Sequence, residues 1–152
     1  MKGMGVSAQK AGAARLAPRD TKALLRQAGL RPTSQRLALG GLLFHGGNRH
    51  LTAEQLLEEA RAAGIRVSVA TVYNTLHQFT EASLLREVAV DGSKTYFDTN
   101  VADHHHFYCI RDGSLVDIPS DAMHVVGLPD APDGMQITRV EVVIRIAEKV
   151  PD

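Results

Sequence analysis

One cysteine, Cys109, is all that the chain of 152 residues contains. A lone thiol excludes an internal disulfide and a zinc ion held by four thiolates of one chain, so any metal must be bound through nitrogen and oxygen. Long apolar runs are missing as well. No stretch approaches the roughly 18 uncharged apolar residues of a membrane-spanning helix, and the first twenty residues lack the continuous apolar core of a secretory signal. No membrane partner and a reducing, cytoplasmic location are therefore expected. Net charge is lacking too, with 17 basic and 17 acidic side chains. What is present, 44% apolar and 22% charged composition, suffices for one ordinary domain or two small ones and excludes a disordered tail.

The zero sum hides an uneven distribution. Residues 1 to 87 hold 12 Lys and Arg against 6 acids, whereas residues 88 to 152 hold 5 against 11. Such a split suits a nucleic-acid-facing half joined to a half with different work. Residues 1 to 18, rich in Gly, Ala and Lys without apolar period, read as a flexible basic arm. Four short helices are then predicted. Asp20 caps the first, which carries Leu24, Leu25 and Ala28 and stops at Gly29. Thr33 caps the second, with Leu37, Gly41 and Phe44 on one face. Thr52 and Gln55 form a capping box for the third, with Leu56, Ala60 and Ala63 apolar and Gly64 at its end. Ser68 caps the fourth.

In the fourth helix Val72, Leu76 and Phe79 recur at helical spacing and face a core. Ala70, Thr71, Asn74, His77 and Gln78 point outward, with Tyr73 at the border. That outer face is polar but uncharged, as a helix lying in a major groove requires, because small groups and hydrogen-bonding tips must meet base edges. Two strands, Leu84 to Val90 and Lys94 to Phe97, follow through Asp91-Gly92-Ser93 as a hairpin, completing a winged helix-turn-helix over 19–97.

From 98 to 152 the pattern changes to strands at His105 to Ile110, Ser114 to Ile118 and Ile137 to Ile146, with a short helix over Ser120 to Val126. In the last strand Thr138, Val140, Val142, Ile144 and Ile146 share one face, while Arg139, Glu141 and Arg145 share the other. So thin a core gains by pairing with a copy of itself, so a homodimer through this half is expected. The fold class is α+β, a winged helix-turn-helix followed by a small α/β dimerization domain.

Asp103-His104-His105-His106 is the sharpest chemical feature. In a strand His104 and His106 share one face and Asp103 and His105 the other, so one strand can feed two sites. Asp117 can lie across from this segment, and Asp98 stands six residues before His104. Imidazole with carboxylate suits Zn²⁺, Mn²⁺ or Fe²⁺ rather than Ca²⁺ or Cu⁺. A hydrolase could use the His-x-His pair with Asp117, but that reading explains neither the basic helical half nor the uncharged helix face. Cys109 reads as an apolar filler of its strand.

Gly29-Leu30-Arg31-Pro32-Thr33-Ser34-Gln35-Arg36, Arg49-His50-Leu51-Thr52-Ala53-Glu54, Ala70-Thr71-Val72-Tyr73-Asn74-Thr75-Leu76, Tyr96-Phe97-Asp98 and the His104 to His106 run together resemble the ferric uptake regulator family, in order from about Leu24 to Ile146. The triple histidine, Leu115-Val116-Asp117-Ile118-Pro119 and the ending Ile137 to Arg145 resemble its iron response regulator branch, whose members sense haem. The resemblance implies an iron-responsive regulator, not an enzyme, that binds operator DNA as a homodimer. A plain Fe²⁺/Mn²⁺-sensing or peroxide-type repressor is the alternative. It implies a divalent metal on His50, Asp98, His104, His106 and Asp117, bridging the two halves. It further implies a second metal or haem site at Asp103, His105 and His124, and a haem-delivering protein as a further partner. The family's cysteine-held structural zinc is not expected, because Asp112 stands where a second cysteine would follow Cys109. Ala17-Pro18 likewise replaces the Cys-Pro haem motif of some branch members. For DNA, the resemblance implies Tyr73 and Asn74 in the major groove, beside Ala70 and Thr71, and Arg31 in the minor groove. Arg36, Arg49 and Lys94 are candidates for phosphate contacts.

Overall fold

The computed structural model describes residues 18–92 and 94–151, so the basic arm through residue 17, including Ala17 of the Ala-Pro pair, and Ser93 of the hairpin turn lie outside the described residues. The chain divides into two compact units between Val101 and Ala102. Asp98 belongs to the first, and Thr99 secures that end of it. The Thr99 amide donates to the Arg49 carbonyl at 2.9 Å, and the Arg49 amide donates to Thr99 Oγ1, also at 2.9 Å.

The first unit contains α1 (Pro18–Gln27), α2 (Ser34–Phe44), β1 (His50–Leu51), α3 (Ala53–Ala62), α4 (Val69–Glu81), β2 (Arg86–Asp91) and β3 (Lys94–Asp98). Side chains start the helices as the sequence predicts. Thr33 and Ser68 accept from the amides of Arg36 and Thr71, and Thr52 with Gln55 completes a capping box. Asp20 does not cap α1, which begins at Pro18 and places Asp20 in its first turn, where a carboxylate favours the positive end of the helix dipole. Three helices end alike. Leu30, Ile65 and Leu84 donate their amides to the carbonyls of Leu25, Ala60 and Phe79, five residues back, across a left-handed residue. That residue is Gly29 after α1 and Gly64 after α3, but Ser83, at φ 62°, after α4.

The core gathers Leu25, Leu39, Leu43, Leu56, Leu76 and Phe79, all at 0% exposure. α2 packs chiefly through Leu39, Gly40, Leu43 and Phe44, with the half-buried Leu37 packed against the same core and Gly41 only half-buried. Gly40 lies so close to α1 that a Cβ there would stand 2.9 Å from Thr21 Cγ2. In α3 the buried residues are Ala53, Leu56, Leu57 and Ala60, and Ala63 is exposed at the C-cap. α4 buries Val72, Leu76 and Phe79 as its period predicts, and Thr75 besides. The wing β2–β3 is antiparallel, and β1 adds a third strand that the sequence reading lacked, giving the order β1-β3-β2.

The second unit holds β4 (His105–Cys109), β5 (Leu115–Ile118) and β6 (Val143–Ile146) in the order β5-β4-β6, with β5 antiparallel and β6 parallel to β4. The long last strand is cut to four residues, since β4 begins at His105 and its backbone bonding to the chain before Val143 ends with the His106 amide on the Val142 carbonyl. There the Val142 amide turns to the His105 side chain instead. The helix expected over Ser120 to Val126 is a single turn closed by Ala122 on Pro119. Val125 and Val126 remain exposed, so no apolar burial offsets the cost of nucleating a helix.

Candidate metal centre and nucleic-acid interface

Register puts donors of the second unit on one side of its sheet. His106 lies directly opposite Asp117 across the β4–β5 pair, and His104 precedes β4 by one residue. His104 Nε2 and His106 Nε2 each stand 3.4 Å from Asp117 Oδ1, and the two ring centroids are 4.4 Å apart. Both imidazoles are buried, at 5% and 1% exposure, and the carboxylate is partly open to solvent. His104 Nδ1 contacts the Ala102 carbonyl at 2.6 Å, a bond that only a protonated Nδ1 can donate. In the neutral ring Nε2 then presents a lone pair toward the Asp117 carboxylate, an arrangement that favours a cation between them. Separations of 3.4 Å also equal the edge of a tetrahedron built from metal bonds of about 2.1 Å. Two imidazoles and a carboxylate thus fit a divalent first-row metal.

In the first unit, His50 of β1 is the Cα partner of Asp98 of β3, and Arg86 of β2 flanks Asp98 on the other side. Asp98 is fully buried, and its Oδ1 accepts from the Asn100 amide at 2.9 Å. A carboxylate removed from water needs such partners. β1 is only two residues long, yet it is what sets a histidine opposite a buried acid.

Asp103, His105 and His124 form no cluster of three donors among the described residues. His105 Nδ1 accepts the Val142 amide at 3.0 Å, which in the neutral ring leaves the proton on Nε2 and no lone pair for a metal. His124 is exposed in the segment where the expected helix is missing. Asp112, after Cys109, accepts from the Ser114 hydroxyl and amide, and these bonds hold its carboxyl well down, to about 2.

The outward side of α4 exposes Ala70, Tyr73, Asn74 and His77, while Thr71 and Gln78 are half-buried. Gln78 Oε1 accepts from Arg36 Nε at 3.2 Å and Nη2 at 3.0 Å, and Arg36 Nη1 reaches the Arg31 carbonyl at 3.0 Å. Arg36 therefore ties α2, α4 and the loop before α2 together. Arg49 is similarly engaged, bound by both nitrogens to the Glu59 carboxylate. Arg31 and Lys94 are exposed, at the α1–α2 loop and at the start of the second wing strand. Sequence reasoning passed over Arg61 and Arg66, which line one open groove with Gln35, Ser68 and Thr71 at the start of α4. Arg61 falls in the last turn of α3 and Arg66 in the loop after Gly64, so no single helical or strand period joins them in the sequence.

Tyr73 is held at its tip. Its hydroxyl donates to Glu54 Oε1 at 2.6 Å. That bond lowers the Glu54 carboxyl below its ordinary range and raises the Tyr73 phenol above its own, because ionising the phenol would lose the bond and face a second negative charge.

A model of the ferric uptake regulator family matches residues 27–145. The ferric uptake regulation protein of Shigella flexneri is 31% identical over 105 residues, which are 68% of this chain and 71% of that one. The peroxide-responsive repressor PerR of Staphylococcus aureus is 36% identical over 98 residues, 64% of this chain and 66% of that one. The structure of the ferric uptake regulator from Pseudomonas aeruginosa with manganese shares the fold, with a TM-score of 0.65 and 24% identity over 86% of this chain and 98% of that one.

Proposed function

Because the chain belongs to the ferric uptake regulator family, we propose that it is a metal-responsive transcriptional regulator that binds double-stranded operator DNA as a homodimer. The observation that carries the reading is the outward side of α4, exposed and free of Lys, Arg, Asp and Glu from Val69 to Thr80. Asn74 there suits the paired donor and acceptor of adenine, and the Tyr73 ring suits a thymine methyl. Arg31 reaches toward the minor groove, and Lys94, Arg61 and Arg66 supply phosphate contacts that position the helix without reading sequence. Arg36 serves DNA binding indirectly, by seating α4. Ala70 and Thr71, near the start of that helix, are small enough to let it approach the bases.

His104, His106 and Asp117 hold the metal in this reading, and His50 and Asp98 of the first unit complete the same shell, as the family resemblance implies. A divalent ion held there would supply a positive charge that offsets the carboxylates, and in this reading its binding sets the spacing of paired α4 helices on DNA. Fe²⁺ or Mn²⁺ sensing and peroxide sensing, the latter in the name of the Staphylococcus aureus relative, are both compatible with this donor set. A divalent ion fits better than haem. His104 and His106 converge with Asp117 at the 3.4 Å separations of a single-ion site, and the His105 ring accepts a backbone amide. With haem falls the need for a haem-delivering partner.

The homodimer rests on the other face of the second sheet. Val116 and Ile144 are the register partners of Phe107 on either side, and Ile146 continues the row. Val116 is 52% exposed and Ile144 36%, and the apolar side chains that this unit buries are Tyr108, Leu115 and Ile118. A second copy laid on the row offsets that exposure. The test is selection of duplexes from a random DNA library by the full chain, with Mn²⁺ or with a chelator. Enrichment of one two-fold symmetric sequence with metal is expected. No enrichment in either condition refutes the reading.

A further inference from the structure

A ladder of side chains crosses the outward side of α4, within the first unit. Glu54, on the first turn of α3, accepts the Tyr73 hydroxyl at 2.6 Å. The Tyr73 ring stacks on His77, one turn on, at 6.4 Å between centroids and 23° between planes. His77 in turn meets the edge of Phe97 at 5.9 Å, and its Nδ1 lies 3.2 Å from Glu87 Oε1 on wing strand β2. Two carboxylates thus stand at the ends of a surface that the proposed function turns toward DNA. An acid there opposes DNA electrostatically at every sequence, so its presence calls for a gain of another kind. Tyr73 is 38% exposed, and its side chain would otherwise rotate among staggered states.

We propose that Glu54 is a positioning residue for base discrimination: by holding the Tyr73 hydroxyl, it fixes the ring in one pose against His77, trading general affinity for selectivity. This rests on the reading of α4 as the DNA-facing helix. Glu54 touches no base in it. A pre-set ring loses no rotamer freedom on meeting the correct base and cannot swing to suit a wrong one. Charge and hydrogen bonding at Glu54 then have separable effects. Glu54→Gln keeps an acceptor for the hydroxyl and removes the charge, Glu54→Ala removes both, and Tyr73→Phe removes the hydroxyl alone.

The experiment uses the full chain with Mn²⁺ at fixed salt, and the duplex that the wild-type protein selects from a random library, against a scrambled duplex of equal length. Both Glu54 variants are expected to bind the scrambled duplex more tightly than wild type. The ratio of selected to scrambled affinity is expected to stay near wild type in Glu54→Gln and to fall about 3- to 10-fold in Glu54→Ala, the range set by one hydrogen bond. Tyr73→Phe should lower the ratio similarly, and adding it to Glu54→Ala should lower it no further. An unchanged ratio in Glu54→Ala, or an equal loss in Glu54→Gln, overturns the role of Glu54 alone. A wild-type protein that selects no duplex overturns this inference and the DNA-binding function together.

Discussion

Removing Asp117 should abolish most of the stability that a divalent ion confers. Both buried imidazoles of the second unit stand 3.4 Å from the same oxygen, Asp117 Oδ1, so Asp117→Ala takes one of three donors in that unit and the only charged one. An ion present at 100 times its dissociation constant stabilises the folded state by about 2.7 kcal/mol. If losing the carboxylate weakens binding about 100-fold, the same concentration stabilises by only about 0.4 kcal/mol. The difference, roughly 2.3 kcal/mol, corresponds to about 5–9 °C in the melting temperature of a chain this size. Calorimetry of the wild type and Asp117→Ala, each with Mn²⁺ and with chelator, reads it directly. Asp130→Ala, an exposed acid of the same unit, is the control. The wild type and the control should gain the full shift and Asp117→Ala little of it. Equal metal-induced shifts in all three would show that the ion binds elsewhere and would remove Asp117 from the centre.

Three further outcomes are expected. Thr21 Oγ1 is buried without a hydrogen-bond partner among the described residues, so Thr21→Val should raise the unfolding free energy by about 1 kcal/mol in urea titration. Ile144→Lys places a charge in the exposed apolar row beside Phe107, and sedimentation should show monomers where the wild type shows dimers, with unchanged far-ultraviolet dichroism. Asp112 titrates near 2, below its ordinary 3.8. Its bonds to Ser114 therefore stabilise the fold above pH 3.8, and that contribution is lost as pH falls through about 2. Asp112→Ala should be less stable than wild type at pH 5, with the gap closing near pH 2.

The helical half was legible because its signals are local. Thr33, Thr52 and Ser68 cap the helices they precede, and Gly29 and Gly64 stop them, through bonds spanning a few residues. Where the chain departs from the favoured residue the boundary was harder to read. Ser83 does after α4 what glycine does after α1 and α3, and the sequence reading assigned that helix no stop. Strand limits in the second unit were misread for a different reason. The alternation from Ile137 to Ile146 is real in the sequence, but a strand extends only as far as its partner, and β4 runs out at His105. The apolar period was visible, but not what would cover it.

The same limit explains the donor set. Alternation places His104 and His106 on one face, and register then decides the rest. His106 faces Asp117, while on the opposite face Phe107 meets Val116 and Ile144. Shifting β5 by one residue would exchange those rows, putting Val116 beside the imidazoles and Asp117 in the apolar row. A buried imidazole pair tolerates an adjacent carboxylate, and an apolar interface between copies does not, so the chemistry of the two faces holds the register in place. Metal binding and dimerization in the proposed function are therefore linked through a single strand pairing. A change that slips it should cost both at once, although each site is built from different side chains.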